Sequence, residues 1–385
     1  MEFTLNSEQQ LLQDSARRFV DKDYAFDART ALLRQGADGT TRHWQTFADN
    51  GWLAAALPEA YGGLGGSLLD TVLIAQELGR GLVLEPYLGS GVLAAQTFLA
   101  AATPAHRDRL LPDIGAGSRR MALAYSEAGA FGMPETCTLR ADAATGGYTL
   151  RGTKTLVLGG VGADTCIVSA RLAGGSHDPQ AITLFLVDAG TLGMTVRPLP
   201  LHDGTWAAEI DFDDVFVPDA AVLGHRGEGL AALRTGLAHA TAALCAELVG
   251  GMEKAVEITA EYLKVRKQFG VPIGSFQSLQ HRMADMAAEL ELARSMLFAL
   301  LASIENDAPD ARQLVVSQAK ALIGRAAKFV CGQAIQLHGG IGMTEEYAVG
   351  HYYKRAVVAD LLFGSSDRHD AVCAEALRQS LLEKC

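Results

Sequence analysis

Two stretches of the sequence gather the side chains that nucleotide recognition needs. "VRKQFGVPIGSFQ", residues 265–277, places Arg266, Gln268, Phe269, Phe276 and Gln277 within thirteen positions. A guanidinium serves a phosphate, the amides serve hydrogen bonds, and two flat apolar rings suit an adenine-like base. The segment also has a plainer reading, because Arg266 and Lys267 complement a helix C-terminus while Gly270 and Pro272 end a helix. "QAIQLHGGIGMTEEY", residues 333–347, sets Gln333 and Gln336 on one helical face ahead of Gly339 and Gly340. Adjacent glycines let a ligand approach the backbone closely, and a glycine in that place also serves as a C-cap. His338 reads as a packed or solvated histidine, since nothing near it has metal-ligand spacing. A third stretch, "DLLFGSSDRHD" at residues 360–370, is either an active-site turn or the cap of a last helix.

Other chemistry is excluded by what is missing. "YGGLGGS", residues 61–67, looks like a phosphate loop but has neither the strand before it nor the Lys-Ser/Thr after it. No G-x-S-x-G elbow, H-E-x-x-H pair or Walker sequence occurs, which removes the commonest hydrolases, zincins and NTPases. The 33 Lys plus Arg against 44 Asp plus Glu give a net charge of −11, a field that repels nucleic acid and acidic membrane surfaces. Six cysteines lie scattered without a Cys-x-x-Cys pair, so no metal site or disulfide framework is expected and the thiols read as reduced, in the cytoplasm. The N-terminus has no basic segment followed by an apolar run, and the protein is expected to be soluble and unprocessed. A cofactor-dependent enzyme remains.

The elements that must position these residues fall into three blocks, and the expected class is α+β, mainly α. Residues 1–117 read as an all-helical domain, opening with a capping box from Ser7 to Gln10 and a helix from about Glu8. "HRDRLLPDIGAGS" is expected to end its helical run, with a proline and glycines. Residues 118–226 are short alternating or β-branched segments that predict an antiparallel β-domain, with Ile210 and Phe212 facing inward and Asp211 and Asp213 outward. Residues 227–385 return to Leu, Met and Ala at helical spacing, and three long helices plus a last one from about Arg368 predict a four-helix bundle. Such a chain is long enough for several cores.

The order of the blocks, with "YLKVRKQFGVPIGSFQSLQHRMADM", "QAIQLHGGIGMTEEYAVGHYYKR" and "LPEAYGGLGGSLLD", resembles the acyl-CoA dehydrogenase family over essentially the whole chain. "AALCAELVGGMEKA" and "GHYYKRAVVADLLFG" are similar to its bacterial members that work as pairs, such as small subunits of pimeloyl-CoA dehydrogenase. The resemblance implies an FAD enzyme, usually a dimer of dimers, that oxidises acyl-CoA to 2-enoyl-CoA and passes electrons to an electron-transfer flavoprotein. A carboxylate takes the α-proton and the β-hydrogen leaves as hydride. An α-proton beside a thioester is weakly acidic, so the site must exclude water, polarise the carbonyl and position a base.

In that family each FAD is shared across a dimer interface, and this sequence matches its two halves unequally. The resemblance puts Arg266, Gln268, Phe269, Phe276, Gln277, Gln336, Gly339 and Gly340 in the half given to a neighbour's FAD. The half for a subunit's own flavin is eroded. "TEPGAGSD" appears as "SEAGAFGM", keeping Ser126 but putting Gly132 at a hydroxyl position, and Trp-Ile-Thr reads Leu156, Val157 and Leu158. Phe363, followed by Gly364, Ser365, Ser366 and Asp367, stands where the family's Glu base stands. The alternative base position holds Ala240, with Thr241 in place of the usual Arg. The Phe363 N–H remains able to polarise a thioester, since a peptide donor does not depend on its side chain. Three readings stay open: a heteromer whose partner supplies the base, a homo-oligomer with a relocated acid (Asp367 first, Glu247 second), and a non-catalytic acyl-CoA-binding scaffold. Ala238, Ala240 and Ala242 mark either a roomy acyl cavity or close helix packing.

Overall fold

The computed structural model describes residues 5–130, 132–172 and 182–382. Six helices come first: α1 (Ser7–Asp23), α2 (Phe26–Leu33), α3 (Trp44–Asp49), α4 (Leu68–Arg80), α5 (Ala95–Ala101) and α6 (Pro104–Gly115). A π-helical segment, Tyr87–Ala94, leads into α5. The capping box that opens α1 is Asn6 with Gln9, one residue earlier than expected from Ser7 and Gln10; the Gln9 N–H donates to Asn6 Oδ1 at 2.8 Å and the Asn6 N–H to Gln9 Oε1 at 3.1 Å. Asn is as good an N-cap as Ser, and the side chain that reaches the backbone donor decides. The helical run does end within "HRDRLLPDIGAGS", at Gly115, but the glycines rather than the proline end it, for α6 carries Pro112 inside it with Leu110, Leu111 and Ile114 buried on either side. Burial of that face outweighs the lost backbone bond.

Eight strands follow: β1 (Met121–Ala124), β2 (Arg140–Ala144), β3 (Gly147–Leu158), β4 (Thr165–Arg171), β5 (Ile182–Asp188), β6 (Met194–Pro200), β7 (Trp206–Pro218) and β8 (Val222–Leu223). They form one sheet in the order β6-β7-β3-β2-β4-β5-β8, with β1 beside β4. The sheet is mixed rather than antiparallel: β1 runs parallel to β4 and β2 touches β4 through one parallel pair. The β2–β3 hairpin returns the chain to the starting edge before β4, which must then run alongside β1 in the same direction. Ile210 and Phe212 enter its core with Leu150, Val168 and Phe185, while Asp211 and Asp213 face away, as the alternation requires.

The C-terminal block holds α7 (Gly229–Val265), a short hairpin of β9 (Lys267–Gln268) and β10 (Val271–Pro272), then α8 (Gln277–Asn306), α9 (Pro309–His338), α10 (Ala348–Leu361) and α11 (Ser366–Leu382). The expected four-helix package therefore has a fifth member, α10, whose buried Val349, Tyr352, Ala356 and Ala359 repeat every three or four residues. The last helix begins at Ser366, two residues before Arg368. By compactness one unit takes in the chain up to Ala31, Val72–Val83 and everything from Thr241; the other comprises Leu32–Thr71 and Leu84–Ala240. Within the first, α9 packs against α8, α10 and α11. Among the described residues no helix is long and apolar enough to cross a membrane.

Candidate nucleotide-binding and catalytic positions

The end of α7, the β9–β10 hairpin and the start of α8 present the first set of residues. Arg266 closes α7, its N–H donating to Tyr262 O at 2.9 Å and its carbonyl accepting from Ile273 N at 2.8 Å. Those two bonds fix its backbone, while its side chain is exposed and pairs with no carboxylate among the described residues. Phe269 occupies the hairpin tip in the left-handed region, φ 52°, and is 92% exposed. Its ring meets Phe276 edge-to-face at 6.1 Å. Phe276 precedes Gln277, the first residue of α8, and caps that helix with its carbonyl alone, which accepts from Leu279 N at 3.0 Å and Gln280 N at 3.2 Å. An exposed aromatic beside a free guanidinium is a surface suited to an anionic ligand with a flat ring.

The end of α9 presents the second set. Gln333 is already engaged, its Oε1 accepting from Arg282 Nη1 at 2.6 Å, whereas Gln336 is exposed. Gly339 takes φ 64° and ψ −140°, its N–H closing the helix on Gln336 and Ile335 carbonyls. No atom lies within 4 Å of where a Cβ would sit on Gly339 or Gly340, so that backbone is open to approach. The two sets are neighbours: Tyr262, one turn before Arg266, stacks on His338, one residue before Gly339, at 4.3 Å. His338 is buried, with Nδ1 2.7 Å from Ala334 O. Burial pushes its imidazole below the ordinary histidine range.

Behind the 360–370 turn lies a charged network that sequence reasoning missed. Lys320, fully buried on α9, donates to Asp360 O at 2.9 Å and Gly364 O at 3.0 Å. Burial lowers its ammonium below the usual lysine value. The Asp360 carboxylate accepts from Lys328 Nζ at 2.8 Å and from the Ser366 hydroxyl and N–H. Burial works to raise that carboxyl, but the Lys328 and Ser366 hydrogen bonds and Lys320 outweigh it and hold it below the usual range. Ser365 caps α11, accepting from Arg368 N at 3.3 Å, so the capping reading holds. Phe363 sits in the left-handed region at φ 60°, a strained place for a side chain. His369 Nε2–H donates to the Phe363 carbonyl at 3.1 Å, and burial lowers that imidazole to about 4. The Phe363 N–H donates to no described residue. Asp367, in the first turn of α11, is exposed.

In the sheet, Ser126 is buried just past β1, and its carbonyl accepts from Thr155 N at 2.9 Å. Its neighbour Glu127 receives Lys154 Nζ at 2.6 Å, Thr138 N at 2.8 Å and Leu139 N at 3.0 Å. Burial favours the neutral acid there, yet Lys154 and the hydrogen bonds prevail and keep Glu127 below the usual carboxylate range. The fully buried Lys154 also reaches Tyr125 O and Ser169 Oγ, which rivets the Ser126 segment to β3. Two residues on, Leu156 is exposed at φ 50°, Val157 is buried and Leu158 is half-buried. None of the three donates a side-chain hydrogen bond, and Gly132 offers no hydroxyl. Of this set only Ser126 brings a polar side chain.

On α7, Ala240 and Thr241 are buried, as are Ala238 and Ala242, so these small side chains serve close packing rather than a roomy cavity. Glu247 is clamped by Arg355, with Nε to Oε1 at 2.5 Å and Nη2 to Oε2 at 3.0 Å.

Family models for the N-terminal, middle and C-terminal domains of acyl-CoA dehydrogenase match residues 6–118, 122–215 and 227–378. The chain is 31% identical to mitochondrial isovaleryl-CoA dehydrogenase of Solanum tuberosum, over 93% of this chain and 88% of that one. Butyryl-CoA dehydrogenase from Megasphaera elsdenii superposes with a TM-score of 0.88 at 26% identity, covering 98% of this chain and 100% of that one. A chain of the ChsE4-ChsE5 complex from Mycobacterium tuberculosis gives 0.87 at 26% identity, covering 98% and 99%.

Proposed function

The chain belongs to the acyl-CoA dehydrogenase family, oxidoreductases that act on CH–CH bonds with FAD, and from that premise we propose that it is one subunit of a heteromeric enzyme. In this reading the chain completes its partner's FAD site in trans, and the partner supplies the catalytic carboxylate and the flavin contacts missing here. One contrast carries the proposal. The surface of Arg266, Phe269, Phe276, Gln336 and the Gly339–Gly340 backbone fits a nucleotide diphosphate, while Phe363 and Ala240 offer no acid at either customary base position. The solved ChsE4-ChsE5 complex, similar over nearly the whole chain, is a heteromer of this fold and supports the analogy.

The roles follow from chemical type. Arg266 would neutralise pyrophosphate charge, with Gln268, Gln277 and Gln336 as amide partners and the two Phe rings against adenine. Ser126 would meet the pyrimidine end of the chain's own flavin if one binds, and Ser365 and Asp367 would stand near it by family position. Bound FAD supplies the hydride acceptor of the dehydrogenation, from which an electron-transfer flavoprotein takes the electrons. The unpaired Phe363 N–H keeps a donor for a thioester oxygen, but a donor without a base does not remove an α-proton.

A relocated base is the less favoured reading on geometry. Arg355 already holds Glu247 on both carboxylate oxygens, and Asp367 is exposed, whereas removal of an α-proton needs a base in a site that excludes water. Expression of the chain alone and beside the product of the neighbouring gene, with flavin and turnover measured in both, tests the proposal. Flavin and full dehydrogenase activity in the single chain would sink it; isolation with neither flavin nor a flavin-bearing partner would favour the scaffold.

A further inference from the structure

His338 had no role in the sequence reading, and its surroundings give it one. Its ring lies between Tyr262 of α7, stacked at 4.3 Å, and Tyr347, tilted at 4.9 Å. The Tyr262 hydroxyl also donates to the His338 carbonyl at 3.3 Å. Gly342 lies against it, because a Cβ there would come within 3.0 Å of His338 Cβ and 2.8 Å of Ile335 O. Tyr262 is the residue whose carbonyl accepts from the Arg266 N–H, and His338 leads directly into Gly339. One aromatic clasp therefore joins the backbone that carries Arg266 to the backbone that carries the open glycine pair.

The imidazole holds by shape more than by hydrogen bonding. Nδ1–H donates to Ala334 O at 2.7 Å, while Nε2 is buried without a partner among the described residues. A residue selected for a polar network would have both nitrogens satisfied. We infer that His338 is a positioning residue that locks the two nucleotide-facing segments together, so that Arg266 and the Gly339–Gly340 backbone meet the same diphosphate. The inference rests on the trans-site reading above. It assigns the clasp no contact with the nucleotide itself.

The test uses whichever assembly of the full chain binds FAD, with FAD as the probe. His338→Ala should weaken FAD binding by about tenfold or more, since small displacements of paired binding groups are costly. His338→Phe, which keeps a flat ring in the clasp, should recover most of that loss. Leu300→Ala, a cavity in the buried part of α8, is the control for mere destabilisation: it should lower the melting temperature comparably yet leave FAD affinity within about threefold. Hydrogen exchange of the flavin-free chain gives an independent arm, in which His338→Ala should deprotect residues 266–272 and 339–343 together. Wild-type FAD affinity in His338→Ala, equal loss in Leu300→Ala, or deprotection of one segment alone would overturn the inference. If the wild-type assembly binds no FAD, the trans-site reading fails, and the exchange arm still decides whether His338 joins the segments.

Discussion

At the scale of single residues, the two positions where the resemblance puts the family's base, Phe363 and Ala240, carry no acid, yet the turn around Phe363 is firmly held. Phe363 still adopts a left-handed backbone with Lys320 and His369 behind it. Lys320 is the clearest support, an ammonium fully buried against two carbonyls. Replacing it with Met leaves the Asp360 and Gly364 carbonyls without that donor and removes a nearby positive charge from the Asp360 carboxylate, and Lys320→Met should cost about 3 kcal/mol in urea unfolding. His369 makes the turn sensitive to acid. Its folded value of about 4 lies below the ordinary histidine range, so its contribution is complete above pH ~6.5 and is lost as pH falls toward 4, where the unfolded chain takes up the proton first. Urea titrations across that window should show stability falling with pH, and His369→Gln should flatten the slope without abolishing it, because His338 is lowered in the same direction. Asp367→Asn should leave turnover of the assembled enzyme within about threefold, since general acid–base groups are worth ~100-fold or more; a loss of that size would revive the relocated base.

At the scale of elements, the nucleotide-facing loops should separate binding from folding. Arg266 is exposed and unpaired, and Gly340 has open space at its Cβ position without a positive φ. Arg266→Gln and Gly340→Val should therefore leave the melting temperature almost unchanged while lowering FAD occupancy about tenfold or more, read by absorbance after desalting. The long elements were legible in the sequence because periodicity over thirty residues leaves few alternatives: α7, α8 and α9 run where Leu, Met and Ala repeat. Shorter decisions were not. Asn6 rather than Ser7 caps α1, a choice between adjacent good caps that the local hydrogen bonds to Gln9 settle, while Pro112 within α6 and the separate helix α10 are settled by packing that local sequence does not encode. The motif residues at 265–277 and 333–347 were found by type and spacing. Lys154 with Glu127 and Lys320 with Asp360 were not, because these pairs span 27 and 40 residues and one sequence carries no sign of pairing across such distances.

At the scale of the whole molecule, the order of helical, sheet and helical blocks agrees with the family whose three domain models match the chain, and the proposed subunit role rests on the unequal match of the two halves of its FAD site. On the proposed reading a homo-oligomer would need both halves of every FAD site in one sequence, whereas here the residues expected for the half given away are present, and the half kept retains Ser126 but has no hydroxyl at Gly132 or Leu158 and no acid at Phe363 or Ala240. With a net charge of −11 a phosphate must be held by locally placed cations, and exposed Arg266 between Lys264 and Lys267 is the candidate that the proposal uses. The direct test is the flavin content of the purified chain alone and of the chain co-purified with its partner. The account predicts no bound flavin in the first and about one FAD per heterodimer in the second, with turnover only there. A single chain that carries a full complement of FAD and oxidises acyl-CoA unaided would contradict it.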